Sequence, residues 1–507
     1  MRYKPILLII ACSVYATLGN AQDTLKTHIT FDLTTEAAVG TGDYTAFQLT
    51  TNRHHVLSTR SNTAYMRGAV NVEHSLGKDW TLSGTVDGIA SVHADHQAYL
   101  QQCFANLSYQ NFYIEAGARE DGQVIRNDLL SSGSFVKGTN AKPFAQLRIG
   151  TKEFWTVPFT KDWIQIHFDG GYGRYLDSDY REKAYYHGLT ASGQNINDKY
   201  ATGIYMHQKH LYIRTNPTKR FFALVGMEHM VQFGGTLYKY NYADGTVHKK
   251  DKPTDLKACF DVILPLGDSK FAEHDALEDW IFGNHIGMMT VQFGWNINKD
   301  HLVQAYLDNP FEDGSGIRKG NGWDGLWGLE YTNKAPGVQY VRGAVVEYFQ
   351  TTNQSGPLHW DSRDYPQLTN TIITDYVTGN DDYYNHSAYD SYTHFGMTPG
   401  NALITSPIYN KDGYTAFRDN RVKAWHLGVN GEITEHLGYL VKGSYREGWG
   451  TYDNFLPTKH HSFDAMVQGN YNIGPWKFSA SYGFDKGNIY GNNSTFDIKI
   501  GYHGKIL

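Results

Sequence analysis

The chain has 507 residues, a formal net charge of −6, 41% hydrophobic, 14% aromatic and 19% charged residues. A net-negative, charge-poor composition gives no footing for nucleic-acid binding, and the length suits several soluble domains or one large barrel. The 37 Tyr and 52 Gly fit a membrane β-barrel with aromatic girdles, and fit a secreted carbohydrate-binding protein as well.

At the N-terminus, Arg2 and Lys4 precede the apolar run Ile6–Ala11, and Gly19-Asn20-Ala21 offers a small-x-small cleavage site. This reads as a secretory signal peptide over residues 1–21, too short for a membrane anchor, leaving 22–507 as one domain. Ile9-Ile10-Ala11-Cys12 has a loose likeness to a lipoprotein signal, but the apolar region continues past Cys12. Loss of Arg2 and Lys4 takes the mature charge to about −8. No later stretch approaches roughly 18 apolar residues, so no transmembrane helix is expected. Cys103 and Cys259 each sit in an alternating segment, 99–107 and 256–264. One disulfide is compatible with this, but two thiols serving as small apolar wall residues is the preferred reading. Residues 271–282 carry Leu277, Trp280 and Ile281 on one side of a short helix.

From Gly283 onward, tight turns and long loops alternate. Turn-forming residues cluster at 296–300, 333–337, 431–435 and 472–475, while the long connections are 309–324, 351–420 and 447–460. Between them lie segments of about ten residues in which apolar and polar side chains take turns. Trp476, Phe478, Ala480, Tyr482 and Phe484 alternate with Lys477, Ser479, Ser481, Gly483 and Asp485, and Phe496, Ile498 and Ile500 alternate with Asp497 and Lys499. Strand side chains point alternately to two faces, and about ten residues cross a bilayer at a tilt. Short turns on one side and long loops on the other are the arrangement of outer-membrane barrels, and a soluble sandwich has no reason for it. The expected fold is all-β: a transmembrane antiparallel β-barrel of roughly 16–20 strands with long extracellular loops, in the outer membrane of a Gram-negative bacterium. Its lumen is expected to be polar, holding water, loops or a plug.

Several words of sequence appear in order along the chain. They include Phe47–Arg53, Pro143–Gly150, Met206–Tyr212, Gly226–His229 with Gly234-Gly235, Glu347–Pro357 and Asn380–His386. Together they resemble motifs of the capsule-assembly Wzi family. The resemblance implies an outer-membrane barrel that binds capsular polysaccharide and helps hold the capsule on the cell surface, without catalysis. Its implied partners are capsular or other surface polysaccharide, outer-membrane lipid and the capsule-export machinery. Some members carry a periplasmic helical bundle, and no strongly periodic helical stretch here would build one.

Sugar recognition needs flat aromatic faces beside amides and carboxylates. The 351–420 loop supplies Trp360, Tyr383 and Tyr384 with Asp381, Asp382, Asn385 and His386, and Trp323 stands with Asp324 and Trp327 at a loop-to-strand boundary. The competing reading makes these tyrosines packing residues and Trp323 part of the outer girdle. Adjacent Asp381 and Asp382 fit a solvated turn better than an acid–base pair, and His54-His55 and His460-His461 lack supporting ligands for a metal. Ser355 lacks the flanking pattern of a nucleophile elbow. No cofactor is called for. Arg148, Arg174, Arg342 and Lys442 are placed in the lumen, to meet an acidic glycan or to pair with lumen carboxylates. Three functions compete: a polysaccharide-binding barrel, a general porin or solute channel, and an outer-membrane hydrolase with a convergent catalytic group at the outer rim.

Overall fold

A computed structural model of the chain describes residues 27–187, 195–264, 282–355, 379 and 381–507. The segment read as a signal peptide, Trp360 and all but the end of the helix expected at 271–282 lie outside them.

Eighteen antiparallel strands form one closed sheet. In chain order they are β1 (Thr27–Thr41), β2 (Thr63–Ser75), β3 (Trp80–Val92), β4 (Ala98–Tyr109), β5 (Phe112–Ala118), β6 (Ala145–Thr151), β7 (Ile164–Arg174), β8 (Tyr205–Thr215), β9 (Phe221–Phe233), β10 (Asn284–Asn296), β11 (His301–Phe311), β12 (Gly325–Asn333), β13 (Gly343–Gln350), β14 (Val422–Glu432), β15 (Leu437–Gly450), β16 (Phe455–Ile473), β17 (Trp476–Gly487) and β18 (Asn493–Lys505). Each pairs with its sequence neighbour, and the two-residue Trp155–Thr156 extends the wall beside β7. The ring closes where β1 meets β18, from Thr30↔Lys505 to Thr41↔Ser494. Closure pairs every strand on both sides, the one way a sheet satisfies its backbone in hydrocarbon.

The alternation read from the sequence fixes which face is which. Trp476, Tyr482, Phe496 and Ile498 point outward and are exposed, while Ser481, Asp485, Thr495 and Asp497 point inward and are buried. Outward aromatics collect near both rims: Trp80, Tyr109 and Trp295 near one, Trp425, Tyr445 and Tyr482 near the other. Along β17, the stretch from Trp476 to Phe484 spans about 20 Å of membrane normal at ~3.3 Å per residue and ~40° tilt, close to the apolar band of such barrels. No helix among the described residues is long and apolar enough to cross a membrane.

The start of β1 and the C-terminus lie at the rim of short turns, where Ile29 N–H donates to the Leu507 carbonyl at 2.9 Å. The short-turn rim of outer-membrane barrels faces the periplasm. The opposite rim carries the long connections 42–62, 119–144, 175–204, 234–283, 312–324 and 351–421, but three of its loops, 93–97, 451–454 and 488–492, are short. The expected loop 447–460 shrinks because β16 runs for 19 residues and rises above the membrane with β15. Strand β13 begins at Gly343 and not at Val338, and Arg342 is not a lumen residue. Its guanidinium donates to the carbonyls of Ala335 at 2.7 Å and Gly337 at 2.8 Å and binds Glu432, tying down the periplasmic turn. The 256–264 segment is not a strand. Asp255 caps a short helix, Leu256–Asp261, by accepting from Ala258 N–H at 2.8 Å. Cys103 is a free thiol exposed on the outer wall and Cys259 a free thiol in that helix, so the two do not pair.

Candidate functional site

The lumen is filled. Three long-rim segments, 42–62, 119–144 and 379–421, fold inward and pack on the wall and on one another. One apolar cluster joins Phe135 and Val136 of the second segment to Tyr383, Tyr384, Leu403 and Ile404 of the third, and to Met206, Met230, Ile286 and Met288 on the wall. A second joins Leu49, Val56 and Leu57 of the first segment to Leu130 and to wall residues Val345 and Leu440. Of the contents expected for a polar lumen, water, loops or a plug, the structure has a plug, and where it seats the inward face is apolar.

Polar ties fix the plug to opposite walls. Arg126 reaches across to Asp308 on β11 with Nε at 3.1 Å, and donates to Gln292 at 2.9 Å and Thr290 at 3.0 Å while lying 3.8 Å over the Tyr306 ring. Glu347 on β13 accepts from Ser131 Oγ at 2.6 Å, Ser132 N–H at 2.7 Å and Tyr306 OH at 2.6 Å. The Leu130 carbonyl accepts from His426 Nε2 at 2.8 Å. On the first segment, Gln48 donates to Ser444 at 2.7 Å and Phe47 N–H to Asp485 at 3.0 Å. Arg446, fully buried, lies between the Phe47 and Tyr490 rings and pairs with Asp464 at 2.9 Å.

The sequence-predicted sugar residues fall into this plug. Tyr383 and Tyr384 are 0% exposed, so the expectation that they present faces to a ligand is not met in this structure. Their neighbourhood explains why: Tyr384 OH donates to the Phe135 carbonyl and accepts from Asn401 N–H at 3.0 Å, and Tyr383 packs edge-on to Phe135 at 5.3 Å. Asp381 accepts from Ser355 Oγ, which leaves that hydroxyl engaged by a carboxylate. Asp382 accepts from Asn385 at 3.2 Å and from Asn420, while Asn385 also bridges both backbone groups of Phe417. His386 Nδ1 accepts from Ala388 N–H at 3.0 Å and its ring lies 5.5 Å from that of Tyr389. These residues make a buried polar cluster where the segment enters the barrel, joined by Asp324, which accepts from Asn353 and Gln354 N–H at 3.0 and 2.6 Å. Burial pushes the Asp324 carboxyl up to about 7 and those of Asp381 and Asp382 up to about 6. Trp323 is 69% exposed beside Trp327, 5.5 Å away at the end of β12, a girdle position. Among the described residues no three His, Cys, Asp or Glu groups converge as a metal site.

Two features escaped the sequence reading. The first stands above the long-loop rim, a three-stranded sheet of Lys199–Thr202, Thr236–Asn241 and Thr246–Asp251. Tyr200 and Tyr238 are register partners on it and stack at 4.6 Å and 5°. The helix Ser178–His187 adds Tyr185, 4.7 Å from Tyr200, and Tyr186, while Tyr240 and Tyr242 meet edge-on at 4.9 Å. Tyr186 is 54% and Tyr242 76% exposed, so this group offers aromatic faces to solvent where Tyr383 and Tyr384 do not. Its signal was the alternation Tyr238-Lys-Tyr-Asn-Tyr242 before the turn residues Asp244-Gly245. The second is a recess of about 430 Å³ beneath the plug. Its roof is the plug at Arg119–Val124 and Val136–Gly138, and its walls are β2–β9. Thr81, Ser108 and Lys152 in its lining stand at the short-turn rim, so it opens toward the periplasm.

The architecture defines a class: a closed 18-stranded antiparallel barrel of the outer-membrane type, plugged by its own loops. No protein-family model matches the sequence, and no curated protein sequence matches it. Among solved structures it is similar to Wzi of Escherichia coli, an outer-membrane protein involved in group 1 capsule assembly and titled a carbohydrate-binding β-barrel. The TM-score is 0.55 at 10% identity, over 97% of this chain and 87% of that one. It also matches the Pseudomonas aeruginosa barrels OccK5, with a TM-score of 0.48 at 8% identity over 95% and 99%, and OprD, with 0.44 at 7% over 95% and 96%. At these identities the likeness is one of fold.

Proposed function

We propose that this chain is an outer-membrane barrel, exported by its N-terminal signal, that binds capsular or other surface polysaccharide and helps hold it on the cell, without catalysis. The observation that carries this reading is the filled lumen. A porin needs a wet path from rim to rim, whereas here two apolar clusters and the Arg126 and Glu347 ties occupy the cross-section. A barrel that gives up its channel keeps its outer surface to work with, and that surface carries the solvent-facing tyrosines Tyr186 and Tyr242. Aromatic faces on a rigid sheet fit the C–H faces of sugar rings at low entropic cost. The ordered sequence motifs and the Wzi-like fold agree with this reading, and the hydrolase alternative finds no support at Ser355, whose hydroxyl is tied to Asp381.

The test pairs two measurements. Purified barrel is expected to retain surface polysaccharide from the parent strain on a sensor surface, with affinity falling at least about tenfold in Tyr238→Ala/Tyr242→Ala. In planar bilayers it is expected to be silent. Steady large conductance would return the porin reading to first place, and a deletion strain that keeps all its capsule cell-bound would remove the capsule role.

A further inference from the structure

We propose that the recess beneath the plug is a second binding site, reached only from the periplasm, for a neutral saccharide. It stands on the recess alone and does not require the outer sheet to bind glycan. The volume, about 430 Å³, lies in the range of small-ligand pockets and has room for a sugar ring or a short oligosaccharide end. With the plug as its roof, a ligand leaves by the way it came.

The lining chooses the ligand class. Six carboxylates (Glu73, Glu120, Asp121, Glu153, Asp169, Glu228) face five Lys and Arg residues (Arg119, Lys137, Arg148, Lys152, Lys209), so the two signs nearly balance. The central charges are already matched: Arg148 binds Glu115 at 2.5 Å and Asp121 at 2.6 Å, and Lys137 binds Asp121 at 3.0 Å. A charged ligand would have to break such pairs, which costs more than a neutral one forfeits. A carboxylate has about four acceptor sites, so one that already binds Arg or Lys keeps room for ligand hydroxyls. The facing wall of β3 and β4 presents the small hydroxyl and amide groups of Thr81, Ser83, Asn106 and Ser108. A flat face completes the recess, since the His167 and His210 rings, hydrogen-bonded Nδ1 to Nε2 at 2.8 Å and 19° from parallel, lie side by side near Tyr113. Hydroxyl partners on one side and ring faces on the other are what a pyranose requires.

The experiment uses the full chain in detergent micelles, with methyl glucoside and maltose as neutral probes and glucuronate and glucosamine as charged ones, followed by calorimetry and saturation-transfer NMR. Saturable binding of the neutral probes is expected in the millimolar range, weakened about tenfold or more by Ser83→Trp, which fills the recess. If Ser83→Trp does not show the heat-dependent gel shift of a folded barrel, Thr81→Trp takes its place. Sidedness is read in a Cys103→Ser/Cys259→Ser background carrying Ser108→Cys. Maltose is expected to protect this thiol from maleimide in permeabilised cells, and intact cells are expected to leave it unlabelled. Absence of saturable neutral binding, indifference to both filling variants, preference for glucuronate or labelling from outside would each overturn the proposal. None of these results bears on the outer sheet, whose polysaccharide binding is measured separately.

Discussion

Arg126→Ala is expected to be the most informative single change in the plug. The guanidinium has 1% side-chain exposure and Asp308, its partner, 0%. Truncation leaves Asp308 as a buried carboxylate without a counter-charge, and it strips donors from Gln292 and Thr290. Breaking one side of a buried pair costs about 3–5 kcal/mol, against roughly 1 kcal/mol for a neutral hydrogen bond, so the orphaned charge decides the outcome. Arg126→Met with Asp308→Leu removes both charges and refills the space, and is expected to recover most of the loss. Urea unfolding in lipid vesicles, followed by tryptophan emission and the gel shift of the folded barrel, measures both. In planar bilayers the wild type is expected to be silent and Arg126→Ala to show brief openings, because the freed segment lies across the lumen. Equal midpoints for wild type and Arg126→Ala, or a double variant no better than the single one, would refute the reasoning.

Three further outcomes are expected. The raised carboxyls of Asp324, Asp381 and Asp382 hold protons in the folded plug that the unfolded chain releases near pH 4. Their stabilising contribution is therefore full below that range and is lost as pH rises through about 6 to 7. The thermal midpoint should fall between about pH 5 and pH 8 by an amount worth a few kcal/mol, and Asp324→Asn should flatten the slope, while an unchanged slope would count against the buried carboxyl cluster. At Gly400 a Cβ would overlap the Tyr384 hydroxyl and the Phe135 carbonyl, so Gly400→Ala should cost about 1–3 kcal/mol in the same urea assay, and a neutral result would show that the tyrosine is not locked. A spin label on Cys103, in a Cys259→Ser background, should be relaxed by oxygen and not by an aqueous nickel chelate, because that side chain faces lipid. The opposite pattern would turn the wall inside out.

How much of this was legible depended on what each segment packs against. Strands β16 to β18 meet lipid on one side and the lumen on the other, and the two solvents print a clean period of two. Residues 256–264 show the same period, yet Asp255 caps a helix there, because a two-residue alternation of five apolar side chains does not by itself say that a sheet is present. The plug was harder still. Its buried residues follow no period, since they pack against an irregular inner surface, and their composition is that of an exposed loop. Tyr383 and Tyr384 were visible as a cluster, but a tyrosine stacked on a sugar and a tyrosine donating to a buried carbonyl look the same in one dimension. What would have helped is Gly400, a glycine required by close approach and not by a turn.

The seam between β1 and β18 carries a consequence for biogenesis. Residues 30 and 505 must lie side by side before the sheet has no edges, so closure waits until the last strand has been delivered. The three inward segments, 42–62, 119–144 and 379–421, all precede that strand in the chain, so they are delivered before the walls can meet. The barrel is in this sense rolled around its own cargo, and a chain truncated within β18 would leave both an open edge and a plug without a container.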